Sequence, residues 1–273
     1  MRQRPVIVIF DSGFGGLSVL GAVRAARPDC DFIYCADDAA FPYGRLSEEA
    51  MTARVLTVFD RLVAEFAPDL AVIACNTAST IALSALRASF ELPFVGTVPA
   101  VKPAAEASQS RVIAVLATAA TVRREYTRAL IERFASHCHV ELVGSVHLAE
   151  LAEAKLRGES VADGAILAEI APCFVEVEGR RTDQLVLGCT HYPLLADHIA
   201  RLAPWPVALV DPAPAIARRV DALLARGGSA GPPAVPQLDG IAVFTGRVAE
   251  GDAEKLVLKA YGVGGFTLMH LPL

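Results

Sequence analysis

Two short stretches set a thiol beside polar neighbours: Cys75-Asn76-Thr77 and Cys189-Thr190-His191. Each follows an apolar run, Leu70–Ala74 in the first case and Leu185–Leu187 with Gly188 in the second. Each precedes a helical pattern, Ala78–Phe90 and, beyond Pro193, Leu194–Ala203. Proline suits the first turn of a helix, where its missing N–H costs nothing. Both thiols are therefore expected at the carboxyl end of a strand, in the turn that leads to a helix. Ligands of open α/β sheets bind at that edge. One cysteine in such a turn is usually a small buried hydrophobe. Two in matching positions, each followed by side chains a core would not select, point to chemistry. A helix N-terminus beside each would favour the thiolate, below its usual pKa of about 8.5.

A cysteine nucleophile with His191 as its base is one possible use. It leaves Cys75 and its polar turn without a purpose. Two thiols facing each other use both turns: one takes a proton from a carbon and the other returns a proton to the opposite face. That inverts a stereocentre with no change of oxidation state, so neither nicotinamide nor flavin is needed. A pyridoxal mechanism needs a Schiff-base lysine. Lys102, Lys155, Lys255 and Lys259 are the only lysines, and none follows a strand at the expected cleft. No cofactor is expected. No metal is expected either. The six cysteines form no Cys-x-x-Cys, and neighbours in His137-Cys138-His139 would alternate faces along a strand.

The elements that must position these groups follow from the rest of the chain. It has 273 residues, 53% of them hydrophobic, and a net charge of −5 with no basic stripe, which argues against nucleic acid as a ligand. No apolar run approaches the ~18 residues of a membrane span. The basic start, Met1–Arg4, meets Asp11 too soon for a secretory signal, and scattered cysteines suit a reducing cytoplasm. Strand Pro5–Phe10 leads to Asp11-Ser12-Gly13-Phe14-Gly15-Gly16; a dinucleotide fingerprint would want glycine at Ser18. Asp11 reads either as a helix cap or as a carboxylate aimed at a ligand. Strand Asp31–Ala36 ends at Asp37-Asp38, and in the loop to Gly44 the phenol of Tyr43 either lines a pocket or packs the turn. Met51, Val55, Val58, Phe59, Leu62 and Phe66 keep helical spacing, and Pro68 stops that helix.

After strand Phe94–Gly96, Pro99 and Pro103 suggest a domain crossing. Strand Arg111–Leu116, the turn Ala117–Thr121 and helix Val122–Phe134 follow. Next come strand Val140–Val143, helix Val146–Leu156 with Glu150 and Glu153, and a helix over Val161–Val177 interrupted near Pro172. Pro204-Trp205-Pro206 suggests the return crossing. Strand Val207–Val210, helix Ala213–Leu224, a Gly/Pro loop over Arg226–Pro233, a final strand Ile241–Phe244 and helix Ala253–Tyr261 complete the pattern. Repeated β-α alternation predicts an α/β protein: two similar domains with mainly parallel sheets flanked by helices, and an active site in the cleft between them. The first domain would use residues 1–98 and 207–273, with residues 99–206 inserted as the second.

Four motifs then carry a resemblance: Phe10–Gly16; Asp37 with Pro42-Tyr43-Gly44; Ala74-Cys75-Asn76-Thr77-Ala78; and Gly188-Cys189-Thr190-His191-Tyr192-Pro193-Leu194-Leu195. In this order, to about Val220, the chain resembles the glutamate racemases of the cofactor-independent aspartate/glutamate racemase superfamily. The resemblance implies that Cys75 and Cys189 are the acid/base catalysts, one for each enantiomer's α-proton. Asp11, His191 and Glu153 would adjust them. Substrate contacts would come from Asp11, Ser12, Tyr43, Gly44, Asn76, Thr77, Thr190 and His191, with Thr118 and Thr121 as neighbours. It also implies a cytoplasmic homodimer that acts on glutamate and supplies D-glutamate for peptidoglycan. Two departures stand out. Ala36-Asp37-Asp38-Ala39-Ala40 replaces a frequent Gly-Asp-Thr-Ala-Arg, and Ser145-Val146-His147-Leu148 replaces a Cys-Pro-rich segment before the acid. Rival readings are a racemase of aspartate or another small acid, a non-catalytic amino-acid-binding protein, and a thiol hydrolase that depends on Cys189 alone.

Overall fold

The first strand, β1 (Val6–Asp11), is buried at every position, as a parallel strand covered on both faces should be. The computed structural model describes residues 4–226, 240–246 and 251–271. After β1 come α1 (Leu17–Ala26), β2 (Asp31–Ala36), α2 (Glu48–Phe66), β3 (Leu70–Ile73), α3 (Asn76–Ser89) and β4 (Phe94–Gly96). Helix α2 starts at Ser47, whose hydroxyl accepts the Ala50 N–H at 3.2 Å, and Glu48 and Glu49 favour the positive end of its dipole. It ends where Ala67 turns left-handed, at φ 44°, before Pro68.

The chain then builds α4 (Val101–Ala107), β5 (Val112–Thr118), α5 (Ala119–Val122), α6 (Glu125–Ala135), β6 (His139–Ser145), α7 (Leu148–Leu156) and α8 (Asp163–Ile170). A short hairpin, β7 (Glu176–Val177) and β8 (Arg180–Arg181), precedes β9 (Gln184–Gly188), α9 (Ala196–Leu202) and β10 (Ala208–Val210). Finally come α10 (Ala213–Arg226), β11 (Gly240–Phe244), α11 (Asp252–Ala260) and β12 (Val263–Leu268).

Two compact units result: Met1–Thr97 with Ala213–Leu273, and Val98–Pro212. The first holds a parallel sheet of order β12-β11-β2-β1-β3-β4, and the second a parallel sheet of order β10-β9-β5-β6. Only the β7–β8 hairpin is antiparallel among the described strands. In the first unit, Val8, Phe10, Ala71 and Ile73 pack against Met51, Val55, Val58, Phe59 and Leu62 of α2 and Ala78, Ala82 and Leu86 of α3. In the second, alternation sorts the strands' side chains. Ala114, Leu116, Leu185 and Leu187 meet α7, α8 and α9, while Ile113, Val115 and Val186 meet α4 and the end of α6.

Several expected elements differ. The helix expected over Val161–Val177 stops at Ile170, with Pro172 in a 3-10 turn. Glu178 and Gly179 both have positive φ, 51° and 74°, which suits a two-residue hairpin and not a helix. The Pro-rich crossing contains α4, because Pro103 falls in its first turn, where the N–H would be unpaired anyway. The fold does not finish at the helix after β11, since β12 pairs with β11 as a further strand. The return crossing lies at Pro212, and not at Pro204–Pro206, because β10 pairs with β9 and the Trp205 indole N–H donates to Thr182 O at 2.7 Å. From residue 227 on, the expected Gly/Pro loop lies outside the described residues.

Candidate active site

In the first unit, Phe10 of β1 pairs with Ile73 of β3, so Asp11 and Ala74 leave the sheet side by side and Cys75 follows. Cys75 is the N-cap of α3, and its Sγ accepts the Ala78 N–H at 3.5 Å. A neutral thiol is a weak acceptor, so an amide at a helix end favours the thiolate. Ser12 Oγ lies 3.8 Å from the same sulfur. Asp11 is fully buried: one carboxylate oxygen accepts the Ser12 N–H at 2.8 Å and the other accepts the Gly16 N–H. It thereby shapes the glycine turn. A side chain at Gly16 would meet Asp11 Cβ at 2.9 Å and Ala74 Cβ at 3.2 Å, so this crossing requires glycine. Asn76, 2% exposed, has neither its amide oxygen nor its amide nitrogen hydrogen-bonded. Such a group carries a desolvation penalty of about 1–3 kcal/mol until a partner arrives. Thr77 is buried next to it.

In the second unit, Ala117 of β5 pairs with Gly188 of β9, so Thr118 and Cys189 leave their sheet side by side. Cys189 Sγ lies 3.8 Å from His191 Nδ1, and His191 Nε2 lies 2.8 Å from Glu153 Oε1. All three side chains are buried. Burial alone would push the imidazole's pKa down, but its hydrogen bonds to Cys189 and Glu153 and their negative charge overcome that and hold it well above the ordinary range. The expected helix over Leu194–Ala203 starts later. A 3-10 turn, Tyr192–Leu195, comes first, and α9 is only seven residues long. Cys189 thus has an imidazole beside it where Cys75 has a helix end. Thr118 caps α5 by accepting the Thr121 N–H at 3.2 Å, and the two hydroxyls lie 2.9 Å apart. Thr190 is buried beside Cys189.

Residues 18–220 match the family model described as Asp/Glu/Hydantoin racemase. The chain belongs to this racemase family. It is 56% identical over 223 residues to the glutamate racemase of Brucella canis, covering 81% of this chain and 80% of that one. It is 57% identical over 219 residues to the glutamate racemase of Rhizobium meliloti, covering 80% and 79%. The crystal structure of Escherichia coli glutamate racemase in complex with L-glutamate and the activator UDP-MurNAc-Ala superposes with a TM-score of 0.86. It is 40% identical and covers 98% of both chains.

Among this racemase's other thiols, burial sets the chemistry. It pushes Cys30 up to about 11, Cys173 up to about 12 and Cys35 well above its ordinary value, leaving all three inert. All six cysteines are free. Among the described residues, no three His, Cys, Asp or Glu side chains cluster as metal ligands, and no helix is long and apolar enough to cross a membrane.

Two groups of residues escaped sequence reasoning. Asp37, at the end of β2, accepts from the Tyr43 phenol, from Arg54 Nη2 at 2.6 Å and from Thr245 Oγ1 at 2.5 Å. Burial first, and then the Asp37 charge, keep the Tyr43 phenol protonated, its pKa well above the ordinary range. Tyr43 is buried with its hydroxyl held by Asp37, while a side-chain carbon at neighbouring Gly44 would meet nothing within 4 Å. The signal was a cation in an apolar stripe: Arg54 lies three residues after Met51 and four before Val58. The second group is Ser145 and Glu169. Ser145 accepts the Leu148 N–H at 3.0 Å, and Glu169 accepts from Ser145 Oγ at 2.5 Å and the Val146 N–H at 3.1 Å. These bonds fix the start of α7, which carries Glu153, and so stabilise the substituted segment.

Proposed function

We propose that this racemase interconverts L- and D-glutamate by cofactor-independent proton transfer between two thiols, Cys75 and Cys189. The observation that carries the reading is the repeated placement of a thiol. In each of two separate parallel sheets, a cysteine follows the strand one in from the edge and stands among buried polar side chains. The identity to curated glutamate racemases supports glutamate as the substrate. Each thiol would address one face of the substrate's α-carbon. One thiolate takes the α-proton, the other thiol gives its proton to the opposite face, and the two sulfurs exchange protonation states. An α-proton is far too weakly acidic for a thiolate in water. The site must therefore exclude water and meet the developing carbanion with fixed dipoles.

Asn76, with its unused amide, and Ser12, Thr77, Thr118, Thr121 and Thr190 would hold the carboxylates, with Gly44 leaving room for backbone approach. Neutral donors suit this task, because a lysine there would quench the thiolates. Asp11, whose carboxylate is committed to the turn, would act on Cys75 and the ammonium mainly through its charge. His191, backed by Glu153, would manage the proton of Cys189. The D-glutamate would enter peptidoglycan in the cytoplasm, with the enzyme acting as a homodimer.

Incubation with L-glutamate in D₂O, without added cofactor, tests this. Optical rotation should decay to zero while deuterium enters the α-position. Constant rotation and an undiminished α-proton signal from folded protein would refute the reading.

A further inference from the structure

The Asp37 carboxylate has no lone-pair direction to spare. Its two oxygens receive the Tyr43 phenol, two nitrogens of the Arg54 guanidinium and the Thr245 hydroxyl. Asp37 is fully buried, and the Arg54 side chain is 9% exposed. A buried carboxylate saturated in this way has one orientation, and so does the phenol that donates to it. The two anchors come from distant parts of the unit. Arg54, on α2, also donates to Leu271 O at 2.7 Å, beyond β12. Thr245 follows β11, and its backbone N–H, with that of Gly246, donates to Asp38 Oδ1 at 3.0 and 2.9 Å. Thr245 and Leu271 both lie past residue 220, where the family match ends.

The Tyr43 phenol has one proton, and it is used in the hydrogen bond donated to Asp37. Tyr43 Oη can then only accept a hydrogen bond from anything else. If the carboxylate lost Thr245 or Arg54 it could turn, and the Tyr43-Gly44 turn would lose its fixed setting.

We propose that Arg54 and Thr245 are positioning residues for substrate binding: through Asp37 they hold the Tyr43-Gly44 turn, so that the end of β11 and the segment after β12 set how tightly the substrate is held. The inference rests on the proposed glutamate racemase activity, in which that turn meets the substrate. An interaction made equally in the ground and transition states appears in KM and not in kcat.

The test compares Thr245→Val, Arg54→Lys and Arg54→Gln with the wild-type full-length protein, by circular dichroism in both directions and by thermal denaturation. Thr245→Val should raise KM for both enantiomers about tenfold, the equivalent of about 1.4 kcal/mol, and leave kcat within about twofold. Arg54→Gln should raise it further, and Arg54→Lys, which keeps the charge without the fork, should recover part of the loss. Thr245→Val removes one hydroxyl at nearly constant shape, so it decides the matter if Arg54→Gln fails to fold. A lowered melting temperature with wild-type KM in Thr245→Val and Arg54→Lys would overturn the proposal and leave a purely structural network. Wild-type turnover is scored first. Its absence would remove the racemase reading itself, whereas normal turnover with unchanged KM in the variants would remove only this inference.

Discussion

The surroundings of Cys75 and Cys189 begin alike and end differently. Each thiol follows a parallel strand one in from the sheet edge, and each is buried, 6% and 7% exposed. Cys75 caps a 14-residue helix, and its sulfur meets the Ala78 N–H and the Ser12 hydroxyl. Cys189 faces His191, which is backed by Glu153. An amide stabilises a thiolate but cannot give up its proton at any working pH. An imidazole between a sulfur and a carboxylate can do both. One sheet therefore supplies a fixed dipole and the other a movable proton. In the proposed two-thiol scheme the asymmetry is chemically apt: substrate and product are mirror images, yet their two protons would leave into different surroundings.

Serine substitution would break the comparison most severely. A hydroxyl in place of either thiol cannot ionise near neutral pH. Cys75→Ser and Cys189→Ser should each lower kcat/KM by about a thousandfold or more, within the upper range of general acid–base effects. The enantiomers are equal in energy, so each loss must be the same in both directions. Polarimetry from either enantiomer measures it. If Cys75→Ser kept its turnover while Cys189→Ser lost it, the two-thiol scheme would give way to a single Cys-His nucleophile.

A smaller effect sharpens the contrast. His191→Gln should lower kcat/KM about ten- to a hundredfold, equally in both directions. The asymmetry should appear in the isotope effect with α-deuterated substrate. Slowing the proton transfer at Cys189 raises the effect for the enantiomer whose proton that thiol removes and lowers it for the other. Ser12→Ala, beside Cys75, should shift the pair in the opposite sense and by less. Equal isotope effects for both enantiomers in both variants would mean that the two neighbourhoods do not differ in function.

Much of the site was legible in the sequence, for a physical reason. Apolar runs ending in Cys-Asn-Thr and Cys-Thr-His place polar side chains where only a strand's exit can tolerate them. The paired thiol turns followed from that, and the β-α alternation from the spacing of apolar residues along the whole chain. What stayed hidden depends on long-range contacts. Pro193 suits a helix's first turn, but here it sits in a 3-10 turn, so a helix end was expected at Cys189 where His191 stands. Strand β12, Val263–Leu268, carries Gly264 and Gly265 and has little strand propensity of its own. Pairing with β11 supplies the order. Arg54 shares a helix face with Met51 and Val58, and its partners Asp37, 17 residues away, and Leu271 O, 217 residues away, explain a cation there. The Ser145 segment departs from the family pattern at one point, and Glu169 on another helix compensates at a distance of 24 residues.

The gentlest test reads stability against pH. The His191 pKa in the folded protein is raised, because the hydrogen bonds to Cys189 and Glu153 outweigh the penalty of burial. A raised folded pKa means that the native state holds a proton the unfolded chain has released. The stabilisation is therefore complete below the unfolded value of about 6.5 and is lost as the pH climbs through the folded value. Amide hydrogen exchange in β9 and α7 should speed up with pH above the intrinsic chemical trend, starting near neutrality. In His191→Gln that excess should vanish. Exchange in β3 and α3 around Cys75, whose sulfur meets an amide N–H and a hydroxyl, should show no matching excess in either protein. An excess of equal size in both units would mean that global unfolding governs the exchange, and the difference in proton supply between the two thiols would then have no signature in stability.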